Sequence, residues 1–393
     1  MFNFQSSQSA KIYVALLDIG AGSIGSAIAS LDGRSDGCEI IYSQRYPTPH
    51  AAAEAGQATA LRAVNEALSK VARDLAKDGV RALKQADKRA KIADFQVTVS
   101  APLSQVVVKN VRYQTKKSFR LNKRLLKTVS DSIARQVWRE LKEADPINHS
   151  DLVVIDSSVI SAQADGCEVD MEMTNLRSTN LELVHLSSLI RHDLMTMIEA
   201  IKERTFPIAK LSIHSAMFIY YNLMNLNVSG AANACILDVA DEVTDIGITE
   251  KGLLRYVGRV PCGVHTVART LQEEAGTPFA EALTLIRHGS NLGLNHGRVG
   301  DLIKTRYRTA LESELKSAGS VVNIPPILFV RTRLPEPSLL DEVALTALSS
   351  VCSQPGRCYA VTDKVMLGNW SDNISQTDAV LQATANFFHK TRQ

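Results

Sequence analysis

The chain has 393 residues, 45% hydrophobic and 22% charged, with a formal net charge of +3. That is the composition of an ordinary soluble protein, with apolar mass for one large core or two to three packed subdomains. The polar opening MFNFQSSQSA and the short apolar run after Lys11 exclude a signal h-region and a membrane span. A cytoplasmic protein is therefore expected, with peripheral attachment to the inner face of the plasma membrane left open.

Six cysteines (Cys38, Cys167, Cys235, Cys262, Cys352, Cys358) stand without CxxC pairs, which reads as reduced thiols and offers no zinc-site spacing. The charge is unevenly spread. From Arg81 to Lys127 thirteen Lys or Arg face two acids, so the rest of the chain sums to −8. Such asymmetry marks a surface that meets an anionic partner, or simply a solvated face. Tyr113 and Phe119 are the only aromatics between Lys109 and Lys127, so stacking on bases has thin support and nucleic acid is an unfavoured partner.

In chain order, Ile12 to Leu17 reads as a strand ending at Asp18, followed by Gly20-Ala-Gly22-Ser-Ile-Gly25. This formally matches the GxGxxG dinucleotide pattern, whose chemistry needs a helix after the glycines. Here Ser26 to Leu31 alternates small polar with apolar residues and runs into Asp32-Gly33, a second strand and a tight turn instead. Ala51 to Asp78 follows as a helix, with Leu61, Val64, Leu68, Val71 and Leu75 at three- and four-residue spacing and Gly79 as its stop. Phe95 to Ser100 alternates as a strand and leaves its sheet at Ala101-Pro102. The basic segment leads into a helix over Leu121 to Leu141 and strands near Leu152 to Ile160 and Glu182 to Leu186, with a turn at Asp165-Gly166. That is a small α+β insertion. A helix (Leu189 to Lys202), a strand (Ile208 to Ile213) and a helix (Ala216 to Leu226) come next.

Then the opening recurs. Ala234 to Asp238 is a strand ending in Asp, Val239 to Thr244 a loop, Asp245 to Thr249 a second strand, Lys251-Gly252 a turn, and Leu253 to Val257 the return. Asp238 lies 220 positions after Asp18. Both copies place a carboxylate at a strand's carboxyl end beside a turn of small residues. Two such halves facing each other would clamp a nucleotide's phosphates with Mg²⁺.

From Ile12 to about Leu348 the chain resembles the actin-like ATPase superfamily, and most the branch of the cell-division protein FtsA and the type IV pilus protein PilM. The likeness rests on the phosphate-1 loop Asp18-Ile-Gly20-Ala-Gly22-Ser23 and the phosphate-2 loop Asp238 to Asp245. Val260-Pro261-Cys262-Gly263 and Ala280-Glu281 add to it, as does an insertion where that branch carries its small extra domain. The implied fold class is α/β, with actin-like (ribonuclease H-like) duplicated domains and a small inserted α+β domain. Residues 1–102 would begin the first half, 103–186 form the insertion, 187–233 complete the first half and 234–393 form the second.

The resemblance implies that ATP and Mg²⁺ are the cofactors. Asp18 and Asp238 would orient Mg²⁺ through its waters. Gly20, Gly22, Ser23 and Thr244 would contact phosphate oxygens, and Glu281 would lie near the ribose. The departures are specific. Ala240, Asp241 and Glu242 replace a run of glycines, Arg331-Thr332 replaces the adenosine-binding glycine pair, Thr284 stands for a lysine, and Cys262 for the first glycine of a turn. No general base for water is identifiable. Weakened or lost ATPase activity is therefore expected.

On this branch the resemblance implies a self-associating scaffold at the inner membrane. Its partner would be the FtsZ tail in cell division or the PilN amino-terminal peptide in pilus assembly. Lys116, Lys117, Lys123 and Arg124 are the expected contacts to an acidic tail or to anionic lipid. Thr377 to Gln393 reads as a helix, either an interfacial anchor or, as its alanine content suits, a helix docked on the parent domain. A nucleotide-independent binding module and a kinase of the same fold are the alternatives.

Overall fold

The computed structural model describes residues 11–31, 38–48, 57–146, 149, 151–169, 176–227, 232–287, 297–332, 339–352, 355–360 and 378–392. The expected turn at Asp32-Gly33 and the start of the helix at Ala51 lie outside them.

Three sheets carry the fold. The first has the order β3-β2-β1-β4-β9, from β1 (Ile12–Ile19), β2 (Ser23–Leu31), β3 (Cys38–Pro47), β4 (Ile92–Val99) and β9 (Lys210–Ser215). The second has the order β12-β11-β10-β13-β14, from β10 (Ala234–Val239), β11 (Thr244–Glu250), β12 (Leu253–Val260), β13 (Ile327–Thr332) and β14 (Arg357–Ala360). Both sheets put the first hairpin strand at the centre, with its antiparallel partners on one side and a parallel strand on the other. The duplication expected from the repeated Asp-and-turn pattern is thus present in the strand order. The third sheet, β5-β8-β6-β7, is antiparallel and belongs to the insertion: β5 (Ser104–Leu121), β6 (Leu152–Ala164), β7 (Cys167–Glu168) and β8 (Leu176–Arg191).

The helical spacing of Leu61, Val64, Leu68, Val71 and Leu75 is realised as a buried stripe on α1 (Gln57–Asp74) and a π-helical turn, Leu75–Gly79. Gly79 does not end this helix, which runs on as α2 (Val80–Ala86). It is a close-approach glycine instead. A Cβ there would stand 3.1 Å from Ile28 Cδ1 and 3.2 Å from Tyr42 Cδ1, so the bare backbone lets the helix lie on β2 and β3. The other two predicted turns hold, with positive φ at Asp165 and Gly166 and at Lys251 and Gly252, the pairing that suits the twist of a two-residue hairpin.

The insertion buries Leu121, Leu126, Ile133, Val137, Leu181 and Leu183 between its sheet and α3 (Lys123–Ala144), whose start is capped by Asn122 accepting from Leu125 N–H at 2.8 Å. Its last strand continues to Arg191, five residues past the expected limit. The helix read from Leu189 therefore begins later, as α4 (His192–Thr205). The remaining helices are α5 (Ala216–Asn227), α6 (Val264–Ala275), α7 (Phe279–Arg287), α8 (Arg298–Gly319) and α9 (Leu339–Val351). The second half has its own core, built from Leu237, Ile246, Ile248, Leu271, Tyr307, Leu311 and Leu328 among others.

The chain divides into two compact units: Met1–Val99, Thr196–Ile213 and Thr362–Gln393 in one, and Ser100–Met195 with His214–Val361 in the other. The terminal segment, read from sequence as the end of the second half, thus belongs with the first sheet, and the insertion clusters with the second half. The carboxyl-terminal helix (Ala379–Thr391) is buried on every side from Val380 to His389, polar Gln382, Thr384, Asn386 and His389 included. Asp378 before it meets Arg45, Thr384 Oγ1 lies 3.4 Å from Thr98 Oγ1, and Arg392 pairs with Asp94 at 2.7 Å. Because Thr98 is in register with Asp18 and Asp94 with Val14, this helix runs antiparallel to β1. On that face β2 presents Gly25, Ala27 and Ala29, small enough to admit a helix.

Candidate functional site: two strand-end carboxylates paired with arginine

Asp18 and Asp238 hold equivalent places, each one residue before the end of the central strand of its sheet. The turns that follow are also equivalent. Gly20 N–H donates to Ser23 O at 3.0 Å, and Ala240 N–H donates to Val243 O at 3.0 Å. Both carboxylates are buried, at 0% and 1% exposure. A charge so placed needs a partner, because burial removes its hydration.

In the first half the partner is Arg45. The register across the hairpins is Asp18 opposite Gly25 and Gly25 opposite Arg45, so the arginine must pass over the glycine to reach the aspartate. It does so: Arg45 Nη2 donates to Asp18 at 2.7 Å, Nη1 to Ser23 Oγ at 3.2 Å, and Nε to Asp378. A Cβ on residue 25 would lie 2.6 Å from Arg45 Nη2. The bare backbone at Gly25 thus gives the Arg45 side chain its path to Asp18. Burial works against the Arg45 charge, but Asp18 and Asp378 together raise its pKa, so the guanidinium stays protonated.

In the second half the same two cross-strand positions are Asp245 and Arg259. The middle residue is now an acid, and it takes the arginine: Arg259 grips Asp245 through Nε and Nη2 at 2.6 and 3.0 Å. Arg259 also donates to Gln105 Oε1 and Ser104 O. Asp238 is paired from its other side. Arg331, its register partner on the parallel strand β13, donates through Nη1 at 2.6 Å, and both side chains are only 1% exposed. In the first half the place of Arg331 is held by Thr98. Each half therefore brings one arginine to its aspartate, from opposite flanks of the central strand.

The other predicted residues are placed as follows. Ser23 is buried and bonded to Arg45. Gly22 O accepts from Thr48 N–H at 2.9 Å. Thr244 is fully buried, its hydroxyl 2.8 Å from Cys262 O and 3.0 Å from Tyr307 Oη. Glu281 is exposed in the first turn of α7, and Thr284 bonds back to Ala280 O. Lys116, Lys117, Lys123 and Arg124 are exposed on the insertion. The long basic run is divided between the two units: its first part lies on α2 and the approach to β4, its second on β5 and α3.

The phosphate-2 loop is closed by its own backbone. Val264 N–H donates to Ala240 O at 3.1 Å and His265 N–H to Asp241 O at 2.7 Å, so the amides at the start of α6 face carbonyls of the chain. Gly263 permits this contact, since a Cβ there would come within 2.5 Å of Ala240 O and 2.6 Å of Asp241 O. Glu242 turns to His265 Nδ1 at 2.9 Å and Arg269 Nη2 at 2.6 Å. Burial opposes ionisation of Glu242, but hydrogen bonds from His265 and Arg269 pull its pKa down to about 2. The two acids that depart from the glycine pattern are thereby built into the α6 contact.

Among the described residues, no group of three or more His, Cys, Asp or Glu side chains is placed to hold a metal ion. Within each half the donor set fits Mg²⁺ and triphosphate poorly. The carboxylate that would face the hydrated cation faces a guanidinium, and in the second half the N–H groups of Ala240, Val264 and His265 and the Thr244 hydroxyl are already engaged.

No protein-family model matches the chain, and no curated protein matches it. Solved structures do. The PilM–PilN type IV pilus biogenesis complex aligns with a TM-score of 0.59 at 10% identity, over 97% of this chain and 98% of the other. The chain has an actin-like fold. A Bacteroides thetaiotaomicron protein described as having an actin-like ATPase fold aligns at a TM-score of 0.45 and 8% identity, over 93% and 97% of the two chains. The ethanolamine utilization protein EutJ from Carboxydothermus hydrogenoformans aligns at 0.45 and 9%, over 97% and 92%. Asp18 and Asp238 hold duplicated strand-end places in this fold, and each is paired with an arginine. Sequence reasoning placed Arg331 at the adenosine turn; the structure turns it inward to Asp238. Arg45, Arg259 and Asp378 escaped notice, because a lone arginine in YSQRYP carries no signal until the register is known.

Proposed function

We propose that this chain is a PilM-type scaffold in which arginine side chains stand where the fold would otherwise use a metal-bound nucleotide, so that it works by holding protein partners. The observation that carries the reading is the pair of buried contacts Asp18–Arg45 and Asp238–Arg331. A hydrated Mg²⁺ would have to displace a guanidinium from each carboxylate and leave it buried without its countercharge, a cost of several kcal/mol per pair. The PilM–PilN likeness supports a protein partner of the PilN kind, and a place at the cytoplasmic side of the inner membrane is part of the same proposal. The cell-division reading has less support: its terminal helix would be a detached anchor, whereas this one is buried.

Calorimetric titration of the full chain with ATP and Mg²⁺ tests the reading. No Mg²⁺-dependent binding is expected at millimolar ATP, with sedimentation velocity unchanged by nucleotide. Micromolar binding lost in the Asp18→Ala, Asp238→Ala double variant would overturn it and restore the nucleotide clamp.

A further inference from the structure

We propose that the outward face of the first helix, from Arg62 to Lys84, is a docking surface for an acidic protein segment. This helix begins as α1, passes through the π-helical turn and ends as α2, with its apolar stripe buried against β2 and β3. On the other side Arg62, Lys70, Arg73, Lys77, Arg81 and Lys84 are all exposed. From Lys70 onward they follow at steps of three, four, four and three residues. A four-residue step overshoots an α-helical turn of about 3.6 residues, so two such steps in succession drift round the helix. The wider π-helical turn at Leu75–Gly79 absorbs that drift. Arg73, Lys77 and Arg81 therefore stand in one row.

From Arg62 to Lys91 nine Lys or Arg stand against four acids, a balance of +5 carried by the segment's own sequence. Three of the four acids are engaged within the fold. Asp74 accepts from Tyr46 Oη at 2.5 Å, Asp87 accepts from Tyr13 Oη at 3.2 Å and from Arg89 N–H at 2.8 Å, and Asp78 pairs with Arg81 at 3.3 Å. Glu66 is exposed, one turn from both Arg62 and Lys70. Among the described residues Arg81 is the one cation of the row with a carboxylate at ion-pair distance. Arg73 donates instead to Ser69 O, and Lys84 to the carbonyls of Lys88 and Ala90.

Two features select a protein segment over other polyanions. None of the exposed large apolar side chains among the described residues lies on this helix, so it offers no group to enter a bilayer or to stack on a base. The row is also narrow. Asp74 and Asp78 each follow a cation of the row by one residue, which sets them about a quarter of a turn to one side, and the Asp78 side chain is 44% exposed. The broad negative surface of a bilayer, or the second strand of a duplex, would meet those carboxylates, and like-charge contact rejects such partners. A single acidic segment lies along the row and avoids them. The proposal deepens the scaffold reading, on which it rests for there being a protein partner.

The full-length protein is titrated against fluorescently labelled polyglutamate and followed by anisotropy. Saturable binding that weakens with salt is expected, tighter than binding to phosphatidylglycerol vesicles or to a DNA duplex. Arg73→Gln, Lys77→Gln and Arg81→Gln together should weaken it about 30-fold, each exposed charge contact being worth roughly three-fold, with the thermal melt unchanged. Absence of polyglutamate binding would overturn the proposal. So would binding that ignores these substitutions and is lost with Lys116→Gln and Lys117→Gln, or tighter binding to the vesicles or the duplex. The nucleotide titration keeps the two readings apart: ATP and Mg²⁺ binding beside intact polyglutamate binding would refute the scaffold reading alone, and binding of neither would refute this surface alone.

Discussion

Arg331 donates to Asp238 across 2.6 Å in a place where both side chains are 1% exposed, one residue before the end of the central strand of the second sheet. The pair couples β13 to β10 side by side with the ladder between them. It makes the aspartate a structural group, with its charge satisfied from within.

A double-mutant cycle at this pair checks that assignment. Asp238→Ala and Arg331→Ala should each lower unfolding stability by about 3–5 kcal/mol, since each leaves a buried charge without its partner. Asp238→Leu combined with Arg331→Met should be far milder than the sum of the single changes. Denaturant unfolding reads the cycle. Strict additivity would mean the two side chains are not coupled.

Gly263→Ala is expected to destabilise the second half by about 1–3 kcal/mol, because the added methyl would press on the backbone carbonyls of Ala240 and Asp241. The backbone itself, at φ −140° and ψ −169°, would accept alanine, so the effect would report the close approach alone. A thermal melt indistinguishable from wild type would show that the loop does not sit against the start of α6.

Acid should weaken the fold in two windows. His185 is fully buried among Ser130, Ser157 and Ser187, and burial pushes its pKa down to about 4 from 6.5, with Asp131 opposing. The folded chain then binds fewer protons than the unfolded one between these values. Stability is full above about pH 6.5 and falls as pH drops towards 4, by about 1–3 kcal/mol in all. Glu242, held near 2 from 4.5, adds a second loss as pH falls below about 4.5. The His185→Asn variant should lack the first loss and keep the second. A wild-type stability flat from pH 7 to 4 would contradict the buried histidine.

Truncation before Asp378 should produce insoluble protein. It exposes the face of the first sheet covered by Leu381, Thr384 and Phe388, and it removes one of the two carboxylates bonded to Arg45. Asp378→Ala alone removes the helix cap, which accepts from Val380 and Leu381 N–H at 3.1 and 3.2 Å, and should cost about 1–2 kcal/mol. Soluble truncated protein that has merely lost lipid binding would mean the helix is an anchor.

The residue pattern alone was enough for the duplication, because alternation, strand-end aspartates and tight turns are local signals set by backbone geometry. It carried the insertion, the hairpin turns at Asp165-Gly166 and Lys251-Gly252, and the docked alternative for the terminal helix. It also flagged Ala240, Asp241, Glu242 and Arg331 as departures. It could not say where those side chains point. Whether Arg45 reaches Asp18 depends on a register in which Gly25 lies between them, and whether Arg331 turns inward depends on β13 lying beside β10. Pairing across strands far apart in the chain is a property of the folded sheet: burial makes the aspartates demand a counterion, and only the assembled neighbours settle which cation answers.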